Sequence, residues 1–230
     1  MSHLTPPQVL LTGLKRTSEQ AAHTVKEMNA EAIIFPLLET VSLTPKTAST
    51  YEWVVFTSPA AVEHFFAFKR DISFNNVACV GPSTVNTLKK FSYSCNLIPD
   101  QYNSDALIKQ FNDLKVKKCK LLYACSALAD NTIENGLSQL GHSVDRAEFY
   151  KPTPMNKKAL PEFSHIVFFS GSGVEAMFEL YGKEVLADKV VASIGARTTK
   201  RILQLFDLTP LTSKKSTAKD TVQLLLKSSQ

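Results

Sequence analysis

The sequence predicts an α/β protein built from two similar domains, each a parallel sheet flanked by helices. Two observations carry this. Short apolar, β-branched runs alternate with stretches of helical spacing, and the chain repeats itself at long range. Its 230 residues are 44% hydrophobic and 20% charged, which excludes disorder and fibrous repeats. That length lies near the point where single cores split into domains.

The strand-like runs are, in order, Val9–Thr12, Ala32–Phe35, Trp53–Thr57, Val77–Val80, Lys120–Tyr123, Val144–Tyr150, His165–Phe169 and Val190–Ile194. Helix starts lie between them. Thr17-x-x-Gln20 and Ser172-x-x-Glu175 resemble capping boxes, and Ser58-Pro59 sets a cap residue before a proline at the first helical position. Asn131-Thr132 leads a helix with Ile133, Leu137 and Leu140 on one face, ending at Gly141, which suits a left-handed terminus. Alternation of this kind makes parallel strands, with ligands expected beyond their carboxyl ends.

The internal repeat is specific. Leu10-Leu11 answers Leu121-Leu122, Phe56-Thr-Ser58 with Val62-Glu63 answers Phe168-Phe-Ser170 with Val174-Glu175, and Gly81-x-x-Thr84 answers Gly195-x-x-Thr198. The offset drifts only from 111 to 114 residues along the chain, as expected of a duplicated unit. Ser58, Thr84, Ser170 and Thr198 each follow a strand and open a helix, where free backbone N–H groups and a hydroxyl can receive an anion. On two facing domains, four such termini would line a cleft. The plainer alternative, that each Ser or Thr only caps its own helix, stays open.

Other chemistries find little support. Gly171-x-Gly173-x-x-Ala176 fits a dinucleotide-binding turn, but Val190–Ile194 lacks the acidic residue that should follow, and the repeat at Ser58 has no glycines. The five histidines, His3, His23, His64, His142 and His165, show no metal-ligand spacing, and no Gly-x-Ser-x-Gly elbow occurs. Cys79, Cys95, Cys119 and Cys125 form no Cys-x-x-Cys pair and read as buried thiols. The formal charge of +5 is too mild for duplex nucleic acid but suits small polyanions, and Lys115–Lys120 and Lys214-Lys215 read as solvated faces. No apolar run is long enough to span a bilayer. The N-terminus lacks a secretory pattern, so a cytoplasmic protein is expected.

Taken together, Val-Val-Phe56-Thr-Ser-Pro-Ala-Ala-Val62, Cys79-Val-Gly81-Pro-Ser-Thr84, Leu140-Gly-His-Ser-Val144 running into Phe149-Tyr150-Lys151-Pro152, Phe168-Phe-Ser170 and Ser193-Ile-Gly195-Ala-Arg-Thr198 closely resemble the uroporphyrinogen-III synthases. The likeness runs from Val9 to about Leu226. It implies a cofactor-free, monomeric lyase that closes hydroxymethylbilane to uroporphyrinogen III, inverting ring D and losing water, with no nucleic-acid or membrane partner. It also implies a discontinuous domain, residues 1–35 with 155–230, a second domain over 40–148, and a two-stranded connector at 36–39 and 149–154. Tyr150 matches the family tyrosine proposed to protonate the leaving hydroxyl. Carboxylates of the substrate would then meet Thr12, Lys15, Arg16, Ser58, Thr84, Ser170 and Thr198.

The sequence departs from the family in three places. Lys15 or Arg16 must serve where many relatives carry an arginine directly after the first strand. Ala60 stands where a basic residue often follows Phe-Thr-Ser-Pro, and Ala124–Asp130 replaces a basic, glycine-containing turn. A non-catalytic two-domain sensor of an anionic metabolite is the competing reading, separable by the Tyr150→Phe variant.

Overall fold

The computed structural model describes residues 6–68 and 71–228. His3, and most of the N-terminal stretch read as non-secretory, lie outside the described residues. The order begins β1 (Gln8–Leu11), α1 (Lys15–Glu27), β2 (Glu31–Ile34), β3 (Leu38–Ser42), β4 (Thr50–Phe56), α2 (Pro59–Phe68), β5 (Ser73–Cys79) and α3 (Pro82–Lys89). It continues α4 (Ser104–Asp113), β6 (Lys120–Ser126), α5 (Thr132–Gln139) and β7 (Ser143–Pro154). The C-terminal part adds β8 (His165–Phe168), α6 (Gly171–Tyr181), a 3-10 turn (Lys183–Leu186), β9 (Val190–Ser193), α7 (Ala196–Phe206), β10 (Leu211–Thr212) and α8 (Ala218–Lys227).

The chain divides into two compact units. One joins the segment through Glu39 to the segment from Thr153; the other is Thr40–Pro152. In the first, five strands run in the order β10-β9-β8-β1-β2, every neighbour parallel. Parallel strands are covered on both faces, so their sequences are continuously apolar. Val9, Leu10 and Leu11 are fully buried, and successive residues supply opposite faces. Leu10, Ile166, Phe168 and Val191 pack with Val174, Met177, Ile202 and Phe206 of α6 and α7. Val9, Leu11, Val167 and Ala192 pack on the other side with Ala21, Val25, Val222 and Leu225 of α1 and α8.

The second unit holds the order β3-β7-β6-β4-β5, with β7-β6-β4-β5 parallel. Val55, Leu121 and Tyr123 face Leu107, Phe111, Ile133 and Leu137 of α4 and α5. On the opposite face Phe56 meets Phe65 of α2 edge-on at 5.2 Å, and Phe65 meets Phe149 of β7 at 5.3 Å.

Several local readings are corrected. α1 starts at Lys15 with Leu14 as an uncapped N-cap, ahead of the Thr17-x-x-Gln20 pattern. Only Thr12–Leu14 separate it from β1, and Ser18 Oγ ties the turn by donating to the carbonyls of Leu11 and Gly13, each at 3.1 Å. The cap of α6 is Ser170, not Ser172, because Ser170 is the extended residue leaving β8 and its Oγ accepts from the Gly173 N–H at 3.1 Å. Glu175 is therefore free of the capping box and pairs with Arg201 Nε at 2.7 Å. The connector strand expected at 36–39 starts only at Leu38, and Asn131 caps without a side-chain bond, Asp130 Oδ1 accepting from the Thr132 N–H instead. The expected terminus at Gly141 is present: φ is +90°, and the N–H groups of Gly141 and His142 reach the carbonyls of Ser138 and Leu137, a Schellman closure.

Candidate functional site

Because β10-β9-β8-β1-β2 and β7-β6-β4-β5 are parallel, their strand ends share one edge of each sheet, and the residues singled out from the sequence fall at those edges in two groups. In the first unit Thr12, Lys15 and Arg16 follow β1, Ser170 follows β8, and Thr198 lies in the first turn of α7 after β9, the three strands being neighbours. Their side chains differ in availability. Thr12 is buried and donates its Oγ hydrogen to the Val167 carbonyl at 2.8 Å. Ser170 Oγ holds the Gly173 N–H and exchanges a hydrogen bond with Ser172 Oγ at 3.1 Å. Thr198 is turned inward, while Lys15 and Arg197 are exposed.

The same asymmetry recurs at the other repeat. Thr84 is buried at the third position of α3, and Ser83 before it is exposed. In both Gly-x-x-Thr turns the threonine faces the core and the preceding residue, Ser83 or Arg197, faces out. That preceding position is the signal that could have identified both residues from the sequence, since the repeat aligns them.

Tyr150 sits in the second unit at a break in strand register. Along β6 and β7 the pairs run Ala124 with Ala147 and Cys125 with Glu148, then Ser126 with Tyr150, leaving Phe149 as the extra residue of a bulge. A bulge re-aims the side chains that follow it. The Tyr150 backbone is bolted down by the Ala127 N–H, which donates to its carbonyl at 2.9 Å. Its side chain is only 7% exposed. The phenol oxygen is 3.0 Å from Ser58 Oγ and also hydrogen-bonds the Ser126 side chain.

Both serine oxygens are anchored to the backbone. Ser58 Oγ accepts from the Ala61 N–H of α2 at 3.1 Å, and Ser126 Oγ accepts from the Leu128 N–H at 3.1 Å. Either atom of the Ser58–Tyr150 pair can donate while the phenol is neutral, and both serine hydroxyls can donate to it once it is ionised. Burial pushes the Tyr150 phenol above its ordinary value, and the two serine hydroxyls pull in the opposite direction. It is a neutral acid at neutral pH whose anion has two donors waiting. In the same unit Tyr123, also buried, is pushed up to about 12 by burial, with Thr57 as its counteracting hydroxyl partner. Arg146 Nη2 donates to the Ala129 carbonyl at 2.9 Å, and its Nη1 pairs with Glu148 at 2.8 Å.

A family model described as uroporphyrinogen-III synthase HemD matches residues 19–223. The chain belongs to the uroporphyrinogen-III synthase family. Among relatives of this family, a Methanocaldococcus jannaschii protein provisionally named uroporphyrinogen-III synthase is 23% identical, the match covering 95% of this chain and 97% of that one. A Methanothermobacter thermautotrophicus protein with the same provisional name is 26% identical over 90% of this chain and 93% of its own length. Uroporphyrinogen-III synthetase from Helicobacter pylori shares the fold with a TM-score of 0.69 at 16% identity, covering 96% of this chain and 99% of that one. A Thermus thermophilus uroporphyrinogen-III synthase mutant gives a TM-score of 0.57 at 15% identity, over 94% and 96% of the two chains.

The family's chemistry is cofactor-independent ring closure in tetrapyrrole synthesis. Among the described residues no group of three or more His, Cys, Asp and Glu is placed to hold a metal, and no helix is long and apolar enough to cross a membrane. Sequence reasoning missed Ser126 and His64, whose places beside Tyr150 depend on strand register and helix packing.

Proposed function

We propose that the chain closes hydroxymethylbilane to uroporphyrinogen III, with Tyr150 donating the proton that lets the terminal hydroxyl leave as water. The observation that supports this reading is the buried phenol whose oxygen is met by two backbone-anchored serine hydroxyls. Proton transfer to the leaving oxygen breaks the carbon–oxygen bond and leaves an azafulvene cation and a phenolate. Ser58 and Ser126 stabilise that phenolate, as donors aimed at developing charge do in other sites. The substituted α-carbon of ring D attacks this cation to give a spiro intermediate, the bond from that carbon to the bridge towards ring C breaks, and ring D's free α-carbon captures the bridge cation so formed, which closes the macrocycle with ring D inverted. Rearomatisation then releases a proton, which restores the phenol, so the sum is substrate to macrocycle plus water. No external oxidant, reductant or cofactor is required by this balance.

In this reading Ser58 acts through Tyr150. Substrate carboxylates fall to Lys15, Arg16 and Arg197, to the Ser170 turn, and to the first-turn backbone amides around Thr12, Thr84 and Thr198. The enzyme is read as a cytoplasmic monomer that works without a nucleic-acid or membrane partner; light scattering at the mass of a single chain tests the oligomeric part. Activity is tested with purified protein and freshly generated hydroxymethylbilane, resolving product isomers. The type III isomer is expected. Type I alone, the product of uncatalysed closure, overturns the assignment.

A further inference from the structure

We propose that His64 is a positioning residue for Tyr150, its imidazole serving as a fixed wall against one face of the phenol. The inference rests on the reading of Tyr150 as the acid. His64 lies on α2, six residues after Ser58, and its ring stacks on the Tyr150 ring with centroids 5.1 Å apart and planes 10° from parallel. Offset stacking of this kind holds two flat groups in a defined relation.

What distinguishes this wall from ordinary packing is that both imidazole nitrogens are tethered. Nδ1 is 2.8 Å from Ser42 Oγ, and Nε2 is 2.8 Å from Thr40 Oγ1. Thr40 and Ser42 are two apart on β3, so they project from one face of that strand. A neutral imidazole has one donor and one acceptor nitrogen, and two hydroxyls can satisfy either tautomer. The ring is thus pinned at two points in its own plane, and neither nitrogen is spent on the phenol. Its contribution is orientation, not proton transfer.

The bulge gives the phenol a need for such a wall. Phe149, the extra residue, is gripped by Phe65 at 5.3 Å and Phe68 at 5.5 Å, both on α2 beside His64. The Leu43 N–H, just past β3, donates to the Phe149 carbonyl at 2.8 Å. One helix therefore holds two successive residues of β7 by their rings, and β3 holds the holder. With Ser58 and Ser126 at its oxygen and His64 on its face, the phenol is held at both its tip and its ring.

The test is steady-state turnover of hydroxymethylbilane by five variants. His64→Ala is expected to lower kcat by about 10- to 100-fold, the scale of a misplaced reacting group, with KM within about twofold. His64→Phe restores a flat ring and is expected to recover most of the lost kcat. In a Tyr150→Phe background, His64→Ala is expected to cost less than about twofold, because there is no acid left to position. Thr40→Val combined with Ser42→Ala keeps the imidazole but unpins it, and a drop in kcat at constant KM is expected even if His64→Ala folds poorly. Unchanged kcat in His64→Ala, no recovery in His64→Phe, or an undiminished His64 effect in the Tyr150→Phe background overturns the positioning role. Full turnover by Tyr150→Phe would instead remove the acid itself, a distinct outcome that needs no His64 variant to read.

Discussion

Replacing Ser58 by alanine removes two things from one oxygen atom. The first is a helix cap: Ser58 Oγ accepts from the Ala61 N–H at 3.1 Å. Loss of such a cap costs about 1 kcal/mol, which for a chain of this size lowers the melting temperature by about 2–4 °C. The second is a hydroxyl 3.0 Å from the Tyr150 oxygen, which in the proposed mechanism donates to the phenolate. A hydrogen bond to a charged group contributes about 1.5–3 kcal/mol, and at about 1.4 kcal/mol per factor of ten that predicts a kcat lower by about 10- to 150-fold. The internal repeat supplies the comparison. Ser170 caps α6 through the Gly173 N–H at the same 3.1 Å, but its other hydroxyl partner is Ser172, not a phenol. Ser170→Ala should match Ser58→Ala in melting temperature yet act mainly on KM. Thermal melting and isomer-resolved kinetics of both variants check this. If Ser58→Ala loses the expected stability while keeping kcat within about twofold, the serine is a cap only, and the phenolate-stabilising role is wrong.

In the proposed mechanism the acid form of Tyr150 is the active one, and burial raises its pKa, so activity should hold through neutral pH and fall only as pH rises beyond the ordinary phenol value of about 10. Removing Ser58 or Ser126, each of which favours the anion, should move that alkaline limb upward; a limb that moves down in stopped-flow pH profiles would refute their support of the phenolate. Gly141→Ala should cost about 1–2 kcal/mol, because φ is +90° and the new Cβ would stand 2.7 Å from Lys118 Cε. Urea denaturation reads this directly, and an unchanged midpoint would refute it.

The α/β class was legible because buried parallel strands write themselves as apolar runs: Val9–Leu11 and His165–Phe168 have almost no exposed surface on either side. β10, two residues long at the sheet edge, and β3, mostly polar, carry no such signature. Capping patterns misled at Thr17 and Ser172, where the distance from strand to helix, not the local motif, sets the first helical residue. The serine and threonine turns were visible as repeats, but which hydroxyl faces outward was not, since helix rotation on the sheet decides that Thr84 and Thr198 point inward. Tyr150 was found through family resemblance. Ser126 joins it only through the register shift at Phe149, and His64 only through packing of α2 on β7, neither of which leaves a trace in residue spacing.

The placement of β1 has a consequence for how the polypeptide matures on the ribosome. This strand lies inside its sheet, between β2 and β8, and its Gln8 N–H donates to Ser164 Oγ across a separation of 156 residues. β1 therefore waits for its second neighbour until the chain across that separation of 156 residues has been made, at about 5–20 residues per second. Thr40–Pro152 is synthesised without interruption and can reach its own core during that delay. A nascent chain arrested before residue 165 would hold one assembled sheet and an apolar β1–α1–β2 unit still lacking the strand that covers the other edge of β1.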